Sequence, residues 1–185
     1  RSTINPSSAA SDVYKRHIIS GKTQHQLIKL AKKNKKIIIS ELDLFQLAIT
    51  NNNEADYDGT QIVAVTGTNG KSTIVSLIHH LLKSKKINSS LIGNIGNSIF
   101  KSKVLKKGVY VIEVSSYQLE SSKLFSPNIA VISNISSDHL DRHKSMQNYM
   151  HQKTKILKNL KKKDTAILNC NHSLIRSKAL ELLKY

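Results

Sequence analysis

The sequence predicts an α/β protein, a mostly parallel sheet with helices on both faces. From about residue 60 onward, short apolar runs alternate with stretches at helical spacing. Four of the five runs are continuously apolar, the pattern of strands covered on both sides. A glycine loop, Thr66-Gly67-Thr68-Asn69-Gly70-Lys71-Ser72-Thr73, separates the first run from the first helix of that region. In such sheets ligands collect beyond the carboxyl ends of the strands.

Residues 1 to about 17 are polar, with Pro6 before Ser7-Ser8 and no clear period. Ile18-Ile19-Ser20-Gly21 reads as a short strand and turn, and His25 to Lys33 as a helix. Ile37-Ile38-Ile39 reads as a buried strand, and Asp43 to Ile49 as a short helix or turn. Residues 1–50 together read as the end of one α/β unit, and 51–60, rich in asparagine, as a linker. The second unit, 61–185, predicts strands at Ile62–Thr66, Ser90–Gly93, Val109–Val114, Ile129–Ser133 and Thr165–Asn169. Helices are expected at Ser72–Lys83, Tyr117–Leu124, Met146–Leu160 and Ser173–Leu183. The chain begins at Arg1 and stops inside an apolar helical pattern, Leu180 to Tyr185. It is therefore expected to be a piece of a longer protein, its second unit incomplete at the C-terminal end.

Composition narrows the class. A chain of 185 residues, 39% hydrophobic, buries one real core and part of another. One cysteine, Cys170, excludes an internal disulfide framework and fits a reducing, cytoplasmic compartment. No apolar stretch reaches the ~20 residues that cross a bilayer, so no membrane partner is expected. The net charge of +17 invites a nucleic-acid reading, but the cations are mostly lysine in scattered clusters and aromatics are 5%. Base readers bring arginine forks and stacking rings. Solvated lysine faces are the preferred reading, with no nucleic acid as partner; a basic nucleic-acid-binding module stays the alternative from another class.

The chemistry sits at the strand ends. Gly67 and Gly70 let backbone N–H groups approach a polyphosphate, and the helix that follows adds its positive end. Thr68, Asn69 and Thr73 complete the candidate cradle; Lys71 would reach the terminal phosphates and Ser72 ligate Mg2+. Val65 stands where the general phosphate loop has a glycine, so the spacing is shortened. Glu113 ends an apolar run, where a carboxylate beside phosphates makes sense as a cation ligand; a helix-capping glutamate is the plainer alternative. The segment 134–143, Asn-Ile-Ser-Ser-Asp-His-Leu-Asp-Arg-His, is dense in groups that bind metals or anions, although His139 and His143 at helical spacing also suit a surface pair. Asn94, within Gly93-Asn94-Ile95-Gly96, follows a further strand in the same way.

The shortened loop resembles that of the Mur ligases and folylpolyglutamate synthases. Glu113-Val114-Ser115-Ser116-Tyr117-Gln118-Leu119-Glu120 and Asp138-His139-Leu140-Asp141-Arg142-His143 resemble the D-glutamate-adding branch of the Mur ligases. Ser40 to Phe45 and the spacing Tyr149, Lys153, Ile156 match as well. The resemblance implies a P-loop-containing Mur ligase central domain at 61–185, truncated, and places 1–50 as the C-terminal remnant of an N-terminal, UDP-binding domain. It implies ATP and Mg2+ as cofactors and UDP-N-acetylmuramoyl-L-alanine and D-glutamate as partners, the latter through a domain this chain lacks. The whole protein is expected to be a monomer. By motif position Lys71, His139 and Lys153 are the catalytic residues. Ser72, Glu113, His139 and, if carbamylated, Lys153 serve metal, and Asn94, Ser115 and Gln118 face substrate. The fragment is not expected to turn over alone.

Overall fold

A computed structural model describes residues 26–50, 59–101, 105 and 107–182. The strand expected at Ile18–Gly21 and most of the linker lie outside them. Two compact units are present, Arg1–Ile38 and Ile39–Tyr185.

In the first, α1 (Gln26–Lys33) forms where the sequence places it. It ends on Lys35 in the left-handed region, with Lys36 N–H donating to Ala31 O at 2.8 Å. The buried strand expected at Ile37-Ile38-Ile39 does not form: the segment is irregular and Ile37 is 87% exposed. An apolar run becomes a strand only beside a partner strand, and none pairs with this one among the described residues.

The second unit is built on a five-stranded parallel sheet in the order β2-β3-β1-β4-β5: β1 (Thr60–Thr66), β2 (Ser89–Gly93), β3 (Gly108–Glu113), β4 (Ile129–Ile132) and β5 (Thr165–Leu168). All five lie within two residues of their expected ends. Alternate residues supply the two faces. Val65, Val109, Val111, Leu91 and Val131 pack with Val75, Ile74 and Ile78 of α3 (Lys71–Ser84). Ile62, Ala64, Ile92, Tyr110, Ile112, Ala130 and Ile132 face the larger core on the other side. That side is covered by α2 (Glu41–Thr50), α4 (Ser116–Ser121) and α6 (Met146–Thr154). Helices on both faces are thus present. At the edge, β5 is exposed, with α7 (Ser173–Leu182) beside it. The helices expected over 117–124 and 146–160 are shorter. The second breaks at Thr154 into a single 3-10 turn, Lys155–Leu157.

The compact unit begins ahead of the 51–60 stretch, because α2 belongs with the sheet. Leu42 and Phe45 enter the core, Phe45 edge-on to Tyr110 at 5.0 Å. Buried Asp43 pairs with Ser40 across the first turn of α2, and its other oxygen accepts from Ser122 Oγ (2.7 Å), Leu124 N–H (2.8 Å) and Lys123 N–H (2.9 Å). One carboxylate therefore ties α2 to the exit of α4.

Candidate active site

The strand β1 lies between β3 and β4, so its loop emerges where the chain leaves the sheet centre in both directions. Gly70 precedes α3 with φ 75, a conformation costly for any residue with a side chain. The first helical bond runs from Ile74 N–H to Gly70 O at 3.0 Å. This leaves the N–H groups of Lys71, Ser72 and Thr73 without helical acceptors at an exposed end, a ready anion site. Lys71 Nζ donates to Thr68 O at 2.8 Å. The other half of the loop is held from β4: Thr68 N–H donates to Asn134 O at 3.0 Å, and Asn69 N–H to Asn134 Oδ1 at 2.8 Å.

Glu113 ends β3 opposite Val65 and is buried. Its oxygens accept from Ser72 Oγ at 2.7 Å and from Asn94 Nδ2 at 3.1 Å. The three residues picked out separately in the sequence thus form one cluster at the start of α3. A carboxylate and a hydroxyl are the hard oxygen donors that Mg2+ prefers, while Asn94 presents its amide nitrogen to Glu113. Among the described residues no three His, Cys, Asp or Glu side chains converge as a metal cage. A cation here would rest on Glu113, Ser72 and the oxygens of its own ligand, which fits the way Mg2+ accompanies phosphates.

A second cluster gathers beyond β4. His139 caps the short helix α5 (Leu140–His143) in the left-handed conformation, φ 52, its Nε2 3.4 Å from Asp138 Oδ2. Its ring centroid lies 5.2 Å from Tyr117 and 6.3 Å from Tyr149. Tyr149 Oη reaches Thr68 Oγ1 at 3.3 Å, and Lys153 Nζ sits 4.6 Å from the Tyr149 ring centroid. Lys153 donates to Gly67 O at 2.7 Å and is 2% exposed. Burial drives its amine down to about 7; nearby Lys71 pushes the same way and Asp138 opposes. The loop therefore joins the two clusters, through Ser72 on one and Thr68 and Gly67 on the other, with Lys71 Nζ at Thr68 O.

His143 is no surface partner of His139. It is buried between the Tyr117 and Tyr149 rings, its Nε2 3.0 Å from Ser116 Oγ. Burial lowers its pKa, helped by Arg142, His139 and Lys153 and opposed by Glu120. Ser115 and Gln118 cap α4 reciprocally: Gln118 Oε1 accepts from Ser115 N–H at 2.9 Å, and Ser115 Oγ accepts from Gln118 N–H at 3.3 Å. Gln118 Nε2 remains buried with no hydrogen-bond partner among the described residues. The sequence reading missed what Asn134 and His143 do. The place of Asn134, two residues past a buried strand beside β1, was the available signal for the first; nothing local marked the second as buried.

Residues 65–183 match the Mur ligase middle domain. Over 148 residues, 80% of this chain, it is 40% identical to the UDP-N-acetylmuramoylalanine–D-glutamate ligase of Rickettsia bellii. It is 41% identical over 132 residues, 71% of the chain, to the ligase of the same name from a Caulobacter species. These alignments cover 31% and 28% of the relatives, so the chain spans about a third of their length. Among solved structures it resembles a UDP-N-acetylmuramoyl-L-alanyl-D-glutamate–2,6-diaminopimelate ligase, with 27% identity, TM-score 0.58, and 76% of this chain and 34% of that one covered. The fold is shared with MurF ligase from Thermotoga maritima in complex with ADP, with 23% identity, TM-score 0.58, and coverage of 78% and 36%. The phosphate loop between Glu113 and Lys153 is thus part of a matched domain, and the chain belongs to the Mur ligase family.

Proposed function

We propose that this chain carries the ATP-binding centre of an amide ligase that adds D-glutamate to UDP-N-acetylmuramoyl-L-alanine in peptidoglycan precursor synthesis. The observation that carries the reading is the single loop that sets Ser72 on Glu113, Lys71 on Thr68 O and Lys153 on Gly67 O. The names of the curated relatives support the choice of substrates.

In this reading the N–H groups at the start of α3 bind the phosphates, and Lys71 exchanges Thr68 O for γ-phosphate oxygens. Ser72 and Glu113, and His139 at a second position, would hold Mg2+, which would supply positive charge against that of the transferring phosphoryl group. An oxygen of the muramoyl-alanine carboxylate attacks the γ-phosphorus and ADP leaves, giving an acyl phosphate. The D-glutamate amine attacks its carbonyl carbon, loses a proton, and inorganic phosphate departs with the amide formed. Phosphorylation supplies the leaving group that a carboxylate lacks.

Buried Lys153 serves as a carbamate: its neutral amine adds CO2 and releases a proton, turning a cation into a carboxylate that supports the metal site. A lysine driven down to about 7 has the neutral form this addition needs. Asn94, Ser115 and Gln118 face the muramoyl substrate, with the unpartnered Gln118 Nε2 as a donor. Of residues 1–50, those ahead of α2 derive from the UDP-binding domain, and D-glutamate is bound by a domain beyond this chain. The intact enzyme is a cytoplasmic monomer; no described helix is long and apolar enough to cross a membrane.

The test is ADP release by the full-length gene product. It should require UDP-N-acetylmuramoyl-L-alanine and D-glutamate together. Release driven by a folate and L-glutamate would move the protein to the folylpolyglutamate relatives.

A further inference from the structure

The geometry points to Asn134 as a positioning residue that divides the phosphate loop into a fixed half, Thr68 and Asn69, and a phosphate-facing half, Gly70 to Thr73. The inference rests on the nucleotide-binding reading above and deepens it by assigning which amides meet the phosphates.

The chain beyond β4 runs alongside the loop. Ser133 N–H donates to Thr66 O at 3.0 Å and Thr68 N–H to Asn134 O at 3.0 Å, extending the β1–β4 pairing past the strand ends. A Cβ at Gly67 would collide with Ser133 Oγ as placed and would crowd the Asn134 backbone at 3.3 Å. The Asn134 side chain then pairs head to tail with the backbone of Asn69. Its Oδ1 accepts from Asn69 N–H at 2.8 Å and Thr68 N–H at 3.1 Å, while Nδ2 donates to Asn69 O at 2.8 Å. Two loop N–H groups are thereby committed to protein acceptors. A phosphate oxygen would have to displace them, whereas those of Lys71 to Thr73 have no helical acceptor to lose. Asn134 is only half-buried, and its amide is fully used, Nδ2 donating a second time to Ser133 Oγ at 3.3 Å, so packing alone does not account for it. An aspartate would keep the acceptor but lose the donation to Asn69 O, and would bring a negative charge beside the phosphates.

Residue-resolved amide exchange on the full-length protein tests this without a variant. The Asn69 and Thr68 N–H groups should exchange slowly with or without ATP, and those of Gly70 to Thr73 should slow only when ATP is added. Asn134→Ala should speed exchange at Asn69 more than at Thr68, which keeps the Asn134 backbone acceptor. It should also raise the KM for ATP at least about tenfold, with the KM for the muramoyl substrate unchanged. Fast exchange at Asn69 in the unmodified protein that slows only with ATP would overturn the division. So would wild-type ATP kinetics in a folded Asn134→Ala protein. If the unmodified protein bound no ATP at all, the nucleotide reading itself would fall, a separate result.

Discussion

Lys71 and Lys153 reach one loop from helices on opposite faces of the sheet, and they donate to neighbouring carbonyls, Thr68 O and Gly67 O. Lys71 is half-buried at the open end of α3, whereas Lys153 is 2% exposed beneath the loop, against the Tyr149 ring. The difference in burial separates their chemistry. A cation near solvent can leave a neutral carbonyl for a phosphate. A buried amine pays for desolvation by giving up its proton, which makes it a nucleophile toward CO2. Loop geometry alone would treat the two as equivalent.

The sharpest way to break this comparison is to remove each lysine in the full-length enzyme. Lys71→Ala should lower turnover about a thousandfold or more, since it removes charge that matters most as the phosphoryl group transfers. Survival of turnover within about tenfold would end its assignment. Lys153→Ala should cost about a hundredfold and be partly restored by added short carboxylates, which stand in for the carbamate; Lys71→Ala should show no such rescue.

Stability sharpens the contrast further. The folded amine of Lys153 lies below its ordinary value of 10.5, so the unfolded chain binds the extra proton between about 7 and 10.5. Stability from this group therefore rises with pH across that window, and its burial costs most below it. In CO2-free buffer, Lys153→Met should raise the melting temperature at neutral pH by about 2–4 °C or more, with the gain fading toward pH 10.

The smallest effect on catalysis should come from Asp43, which touches neither lysine. Burial would raise its pKa, but hydrogen bonds from Leu124, Ser122, Lys123 and Ser40 outweigh burial and hold it below the ordinary value. Its contribution is present above the ordinary carboxylate range and lost as pH falls through the lowered value. Asp43→Asn should destabilise by about 1–3 kcal/mol near pH 7, with the difference closing in acid, while kcat changes less than about threefold. Denaturant unfolding across pH measures it.

The sheet was legible because its strands are apolar runs punctuated by glycine and polar turns, and such runs need no distant information. Ile37-Ile38-Ile39 shows the limit: the same composition, with no strand paired to it among the described residues, stays exposed. In the site, Lys71, Ser72 and Glu113 were legible from a loop and a strand end. That the Ser72 hydroxyl meets the Glu113 carboxylate follows from the β1–β3 register, which links residues far apart in sequence. Asn134 escaped for the same reason, since its partners lie 65 residues away. The burial of His143 depends on two rings from different helices, which no local pattern encodes.

The central claim, that this loop delivers a phosphoryl group to a carboxylate, has a direct isotopic test. Full-length enzyme would be given ATP, D-glutamate and UDP-N-acetylmuramoyl-L-alanine labelled with heavy oxygen in its carboxylate. An acyl phosphate predicts that each inorganic phosphate released carries one heavy oxygen from that carboxylate. Unlabelled phosphate accompanying amide formation would contradict the account.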